Sequence, residues 1–321
     1  MARWKAHLSF LKAWQWRLKK EKRHWDVCLQ KQNTQLNGRR PAGLAEIRWP
    51  VSTRTVIFLN DERFAIYFRF AARLTAAVTA ATISPVSAQN FTPTLPCVAP
   101  PGLAHFDMPL KHVAERISVH KPLTIVAIGS SSTFGVGASS PAMSYPSRLA
   151  EELRALLPHT PLTVLNRGIN GETVTEMLAR FDRDVLAARP DLVFWQVGSN
   201  AVLLGKALGP TGLLIDEGLT RLKDGGFDVV LIDPQYAPKV IARHDEYDVE
   251  LMVALISRTS HDMGINLFQR FALMRYWHLA RGLPFSVFLS KDELHMNDWS
   301  YGCIAKLLAR AVVEAAGGPV R

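Results

Sequence analysis

The chain is poor in cysteine. It has three in 321 residues, with no Cys-x-x-Cys pair and no Cys/His spacing suited to a metal. That excludes a zinc-stapled fold and a disulfide-dense miniature one. Long apolar runs are also missing near the N-terminus. The uncharged stretch from Leu74 to Ile83 is about half of the roughly twenty residues that a spanning helix needs. Excess charge is missing from most of the chain. The net +10 comes from residues 1–70, with 15 Lys/Arg against 5 Asp/Glu; residues 71–321 carry 23 of each. The basicity therefore says little about the main domain. With no DNA- or RNA-binding motif beside it, no nucleic-acid partner is expected. No repeat or low-complexity tract follows residue 100.

What is present divides the chain into four parts. Residues 1–65 are a basic extension without a fold-forming pattern. Residues 66–88 read as a secretory signal: Arg69 and Arg73 precede a short apolar core, and Val86-Ser87-Ala88 offers a small-x-small cleavage site. A signal this far along the chain implies a start codon set too far upstream. The expected location is secreted or periplasmic, with cleavage after Ala88. The alternative is a cytoplasmic tail with residues 66–83 as an imperfect membrane anchor. Residues 89–120 are a proline-rich lead-in, and 121–316 form the main domain.

Cys97 and Cys303 are the cysteines of the mature chain. An oxidising compartment would allow a bridge between the lead-in and the last helix, and two free thiols are the alternative. The "HDEYD" tract at 244–248 is rich in ligand types but sits at a charged helix start. No metal and no cofactor are expected.

From residue 123 onward, strands and helices alternate. Strands are expected at 123–128, 162–165, 192–197, 227–232 and 265–267. Helices are expected at 145–157, 174–188, 211–223, 246–263, 273–281 and 298–316. The strands are apolar runs, as strands buried on both faces are. The pattern predicts an α/β protein with a five-stranded parallel sheet between two helical layers. Ligands bind such sheets at the carboxyl ends of the strands.

Those ends carry the chemistry. After the first strand comes Gly129-Ser130-Ser131-Ser132-Thr133, and after the second "NRGINGET", residues 166–173. After the third comes Gly198-Ser199-Asn200. Near the C-terminus, "KDELHMND" holds Asp292 and His295. A serine nucleophile needs a base for its proton, and the base needs a carboxylate to fix its tautomer. Asp and His three apart can meet across one turn. A tetrahedral intermediate needs donors aimed at its oxyanion, which a glycine-loop N–H and an asparagine amide supply.

With these blocks in this order, residues 121–316 resemble the SGNH (GDSL-like) hydrolase family. The resemblance implies a flavodoxin-like three-layer α/β/α sandwich and hydrolysis of carboxylic esters. It implies Ser131 as nucleophile, with Asp292 and His295 completing a triad. It implies an oxyanion hole of the Ser131 N–H, Gly171 and Asn200, with Gly171 preferred to Gly168 by its Gly-x-Thr context. Two positions depart from the family pattern: Ser130 and Ala201 stand where it has aspartates. Neither belongs to the implied triad or oxyanion hole.

The segment after strand four, "DPQYAPKV" at 233–240, is expected to wall the site, with Tyr236 and Pro238 shaping an acyl pocket. No long lid segment is evident, which favours short acyl or O-acetyl groups. Expected substrates are small-molecule, carbohydrate or lipid esters, with no obligate protein partner. Three rivals remain. A phosphate- or flavin-binding module would use the small-residue loop but has no use for Asp292 and His295. A non-catalytic interaction protein needs none of these residues. An acyltransferase would use the same triad and differ in excluding water. Of the other histidines, His244, His261 and His278 fall in helical stretches. Cys303 lies in an apolar helix pattern without a base.

Overall fold

The computed structural model describes residues 95–242 and 248–318. The basic extension, the signal or anchor at 66–88, Cys28 and residues 243–247, with His244 among them, lie outside the described residues.

Five parallel strands make one sheet: β1 (Leu123–Gly129), β2 (Leu162–Gly168), β3 (Leu192–Gln196), β4 (Asp228–Ile232) and β5 (Asn266–Phe268), in the order β2-β1-β3-β4-β5. This is the flavodoxin-like order, and the predicted three-layer sandwich is the fold observed. The helices Tyr145–Leu156 and Asp298–Ala315 pack together on one face of the sheet. Leu208–Asp224 and Val249–Met263 pack together on the other. β3 is buried along its whole length, and β1 and β4 nearly so. β2 is not. Every residue of it, at one edge of the sheet, is exposed or partly exposed, whereas β5 at the other edge is mostly buried. The expectation of a doubly buried run fails there, and the strand runs three residues beyond the predicted end.

Three features go beyond the expectations or correct them. The proline-rich lead-in, 89–120, carries a helix, Lys111–Ser118, with Val113 buried. It packs on β1 and β4, and the Val113 N–H donates to Asp228 Oδ2 at 3.0 Å. Helix 174–188 is three short pieces, Val174–Ala179, Phe181–Asp184 and a 3-10 turn Leu186–Ala188. Arg180 breaks the first two (φ −116°, ψ 6°) while burying its guanidinium against main-chain carbonyls. Helix 273–281 begins earlier, at Arg270, and widens into a π-helical turn at Tyr276–Ala280.

Cys97 and Cys303 form a disulfide, with their Cα atoms 5.4 Å apart. It ties the lead-in to the last helix. Trp277 Nε1 and Trp299 Nε1 reinforce the tie by donating to the Val98 and Leu95 carbonyls, each at 2.9 Å. Among the described residues, no helix is long and apolar enough to cross a membrane.

Candidate active site

The strand order reverses direction between β1 and β3. Loops leaving two neighbouring strands toward opposite sides open a crevice at their carboxyl ends. The Ser131 and Asn200 loops leave these two strands, so the topology sets them side by side.

Ser131 opens a one-turn helix, Ser131–Phe134, directly after β1. Gln196, the last residue of β3, holds the turn from below. Its Oε1 accepts from the Ser130 N–H and the Ser130 hydroxyl, both at 2.9 Å. Ser130 thus acts as a double donor to a buried side-chain amide. Beyond the turn, the Val136 carbonyl accepts from Tyr301 Oη at 2.7 Å, and Ser139 binds Asp298 through its N–H and hydroxyl. Tyr301 and Asp298 lie on the last helix, so the serine loop and the C-terminal helix are stitched together.

His295 reaches Ser131 from a tight loop. Its Nε2 lies 2.8 Å from Ser131 Oγ, and its Nδ1 lies 2.5 Å from Asp292 Oδ2. The other oxygen of Asp292 accepts from Ser290 Oγ at 2.6 Å, His295 N at 2.9 Å and Leu294 N at 3.0 Å. Burial pushes the Asp292 carboxyl up. These hydrogen bonds, with that of the His295 ring, overcome the burial and hold the group below the usual carboxylate range. A charged, acceptor-only Asp292 keeps the ring proton on Nδ1 and leaves Nε2 as the acceptor for the serine hydroxyl. Ser290, the donor that steadies Asp292, was not among the expected residues. Its place two before the aspartate, in an irregular segment, is the only signal for it in the sequence.

The two glycine candidates separate on geometry. A side chain at Gly168 would run into the backbone of Thr133 and Phe134, so that glycine permits close packing of β2 on the serine turn. Gly171 stands in open space at φ +79°, a conformation that favours glycine. Asn200 Nδ2 donates to the carbonyl of Glu172, the next residue, at 2.8 Å. Gly198, not Asn200, caps the short helix Ser199–Leu203. Arg180 secures the same loop. It binds Glu172 at 2.7 Å and the Arg167 carbonyl at 2.9 Å, and reaches the Gly129 carbonyl at 3.3 Å.

The segment after β4 runs beside the histidine loop. Lys239 N donates to the Glu293 carbonyl at 3.3 Å, and Pro238 begins the turn Pro238–Ile241. The half-buried Tyr236 ring packs on Phe271, Phe285 and His278. His278 Nδ1 lies 2.9 Å from the Leu283 carbonyl, and His261 lies beside Asp262. Neither contacts Ser131. Among the described residues, no group of three or more His, Cys, Asp or Glu is placed to hold a metal ion.

The arrangement can take a proton from a serine hydroxyl and hold the resulting imidazolium beside a carboxylate. The model of the non-GDSL lipase-like family matches residues 96–318. An acetylxylan esterase from Geobacillus stearothermophilus is 42% identical over 50 residues, 16% of this chain and 23% of that protein. An arylesterase from Vibrio mimicus is 26% identical over 172 residues, 53% of this chain and 79% of that one. Among solved structures, a two-domain esterase active on acetylated mannans superposes with a TM-score of 0.56 at 19% identity. That match covers 67% of this chain and 56% of the esterase. An acetyl-xylooligosaccharide esterase from Geobacillus gives 0.51 at 19% identity, over 63% and 99%. At such identities the likeness is one of fold.

Proposed function

The chain belongs to the non-GDSL lipase-like family, and we propose that it is a serine esterase of SGNH type acting on short-chain acyl or O-acetyl esters. One observation carries the proposal: the unbroken path from Ser131 Oγ through His295 to Asp292, at 2.8 and 2.5 Å.

In the first half-reaction, Ser131 Oγ attacks the ester carbonyl as its proton passes to His295 Nε2. Asp292 stabilises the cation so formed. The oxyanion takes hydrogen bonds from the Ser131 N–H, the Gly171 N–H and the Asn200 amide. Asn200 has two amide hydrogens, so one remains for this task while the other holds Glu172. Collapse expels the alcohol, which takes the proton from His295 and leaves an acyl-Ser131. Water then gives one proton to His295 as it attacks the acyl group, and His295 returns that proton to Ser131 Oγ as the carboxylic acid leaves.

Acetylated polysaccharide is the proposed substrate class. The relatives that act on acetylated mannans and acetyl-xylooligosaccharides support it. Tyr236 and Pro238 are proposed to wall the acyl side, and the signal at 66–88 to direct the domain out of the cytoplasm. The test is covalent labelling with a serine-directed organophosphonate, alongside release of acetate from acetylated xylan and mannan. Labelling of Ser131 once per chain, lost in His295→Ala, is expected. A Ser131→Ala variant that still hydrolyses aryl acetate would overturn the reading.

A further inference from the structure

Three residues lie next in sequence to three site residues: Ser132 beside Ser131, Ser199 beside Asn200, and Leu294 beside His295. They leave β1, β3 and the C-terminal loop, yet all three are held by one buried pair. Arg270 Nη1 donates to Ser132 Oγ at 3.0 Å. Gln235 Oε1 accepts from Ser199 Oγ at 2.7 Å. Gln235 Nε2 makes a longer contact, 3.5 Å, to the Leu294 carbonyl. Arg270 Nη2 closes the set by donating to Gln235 Oε1 at 3.1 Å.

The pair is itself well anchored. Arg270 is 1% exposed and Gln235 2%. Arg270 Nε donates to the Asp233 carbonyl at 3.0 Å, and Asp233 Oδ1 accepts from the Phe271 N–H at 2.8 Å. A guanidinium is a rigid planar fork, so its three bonds fix three partners relative to one another. Burial of a cation is costly unless its bonds are made, and the fork therefore resists being pulled out of register.

We infer that Arg270 and Gln235 are positioning residues that set the nucleophile, the Asn200 amide and the base in their working geometry. Neither is placed to touch a substrate; they act through Ser132, Ser199 and Leu294. This rests on the esterase reading of the site. A displacement of about 1 Å among reacting groups can cost on the order of a hundredfold in rate. A pair that joins three loops is where such displacement is prevented.

The test uses the full chain with an aryl acetate, measuring kcat and KM separately, with thermal unfolding on the same samples. Gln235→Leu removes both hydrogen-bonding functions. It is expected to lower kcat at least tenfold with KM changed less than about twofold. Gln235→Glu keeps an acceptor for Ser199 and Arg270 and is expected to recover most of that loss. Should Gln235→Leu fail to fold, Ser199→Ala removes a single hydroxyl. A fall in kcat of about threefold or more at an unchanged melting temperature is then expected. Normal kcat in folded Gln235→Leu or in Ser199→Ala overturns the inference, as does a Gln235→Glu variant no better than the leucine one. Ser131→Ala serves as the control. If it is inactive while the Gln235 and Ser199 variants are normal, only this inference fails. If it is active, the esterase reading fails and takes this inference with it.

Discussion

His295 Nε2 and Ser131 Oγ sit 2.8 Å apart although 164 residues separate them in the chain. The serine rides on the end of β1 and the histidine on a loop before the last helix. The two are brought together where that helix packs beside the serine turn, through Tyr301–Val136 and Asp298–Ser139. The pair is thus a product of the tertiary fold.

Asp292 supplies the most direct test of the histidine's tautomer. Asn at this position keeps the acceptor for Ser290 and the two loop amides but offers His295 Nδ1 no negative partner. Asp292→Asn is expected to lower kcat by roughly 10²–10⁴, with the loop intact. Steady-state kinetics on an aryl acetate check this. Activity within about threefold of wild type would remove Asp292 from the triad.

Asn200 separates transition-state binding from structure. Asn200→Ala is expected to lower kcat by roughly 10²–10³ with little change in KM, because the oxyanion exists only after attack. Its bond to the Glu172 carbonyl is also lost, so a modest drop in melting temperature accompanies it. A stability loss with near-normal kcat would leave the oxyanion to the Ser131 and Gly171 amides.

Asp233 predicts a pH dependence of stability. Its carboxyl is buried, and that burial pushes it up to about 7. Oδ2 has no hydrogen-bond partner, and Arg270 is the nearby cation that opposes the shift. Between the usual carboxylate range and pH 7, the folded protein holds a proton that the unfolded chain has released. Stability therefore falls as pH rises through that window and levels off above it. Asp233→Asn should flatten this part of the profile in thermal unfolding measured from about pH 4.5 to about pH 8. An unchanged slope in that variant would show that other groups carry it.

The Cys97–Cys303 disulfide closes a separation of 206 residues. A cross-link over so long a loop restricts the unfolded chain, and its removal typically costs about 2–4 kcal/mol. Cys97→Ser is expected to lower the melting temperature while leaving the kcat of folded enzyme near wild type. The bond joins the lead-in to the last helix and includes no partner of Ser131, His295 or Asp292. A matched loss of kcat at temperatures where the variant is folded would contradict this.

The order of elements and the candidate reacting groups are legible in the chain itself. Alternating apolar runs and helical spacings define a parallel sheet, because only crossovers on both faces bury strands of that kind. Strand ends rich in small hydroxyl residues, glycine and asparagine, with Asp and His three apart, mark the site by local chemistry. Each signal is complete within a few residues, which is why a single sequence reveals it.

What escaped the sequence depends on partners far away along it. β2 reads as one more apolar strand, and that it lies exposed at one edge of the sheet is visible only in the fold. Arg180 falls inside the expected helix 174–188, with nothing in the sequence to mark it for burial. The fold buries it beside the ends of β1 and β2, where it donates to the Arg167 carbonyl at 2.9 Å and reaches the Gly129 carbonyl at 3.3 Å. The lead-in reads only as proline-rich, and the helix Lys111–Ser118 forms where Asp228, on β4, accepts from the Val113 amide. Arg270 and Gln235 have no pattern in the chain at all. Their roles arise because the sheet brings Ser132, Ser199 and Leu294 to one buried point, where unpaired polar groups are costly and a planar fork can join them. Local pattern thus specifies the candidate reacting groups and the scaffold that carries them. The register in which those groups are held comes from three-dimensional packing, because hydrogen bonds between distant segments leave no periodic trace in the chain.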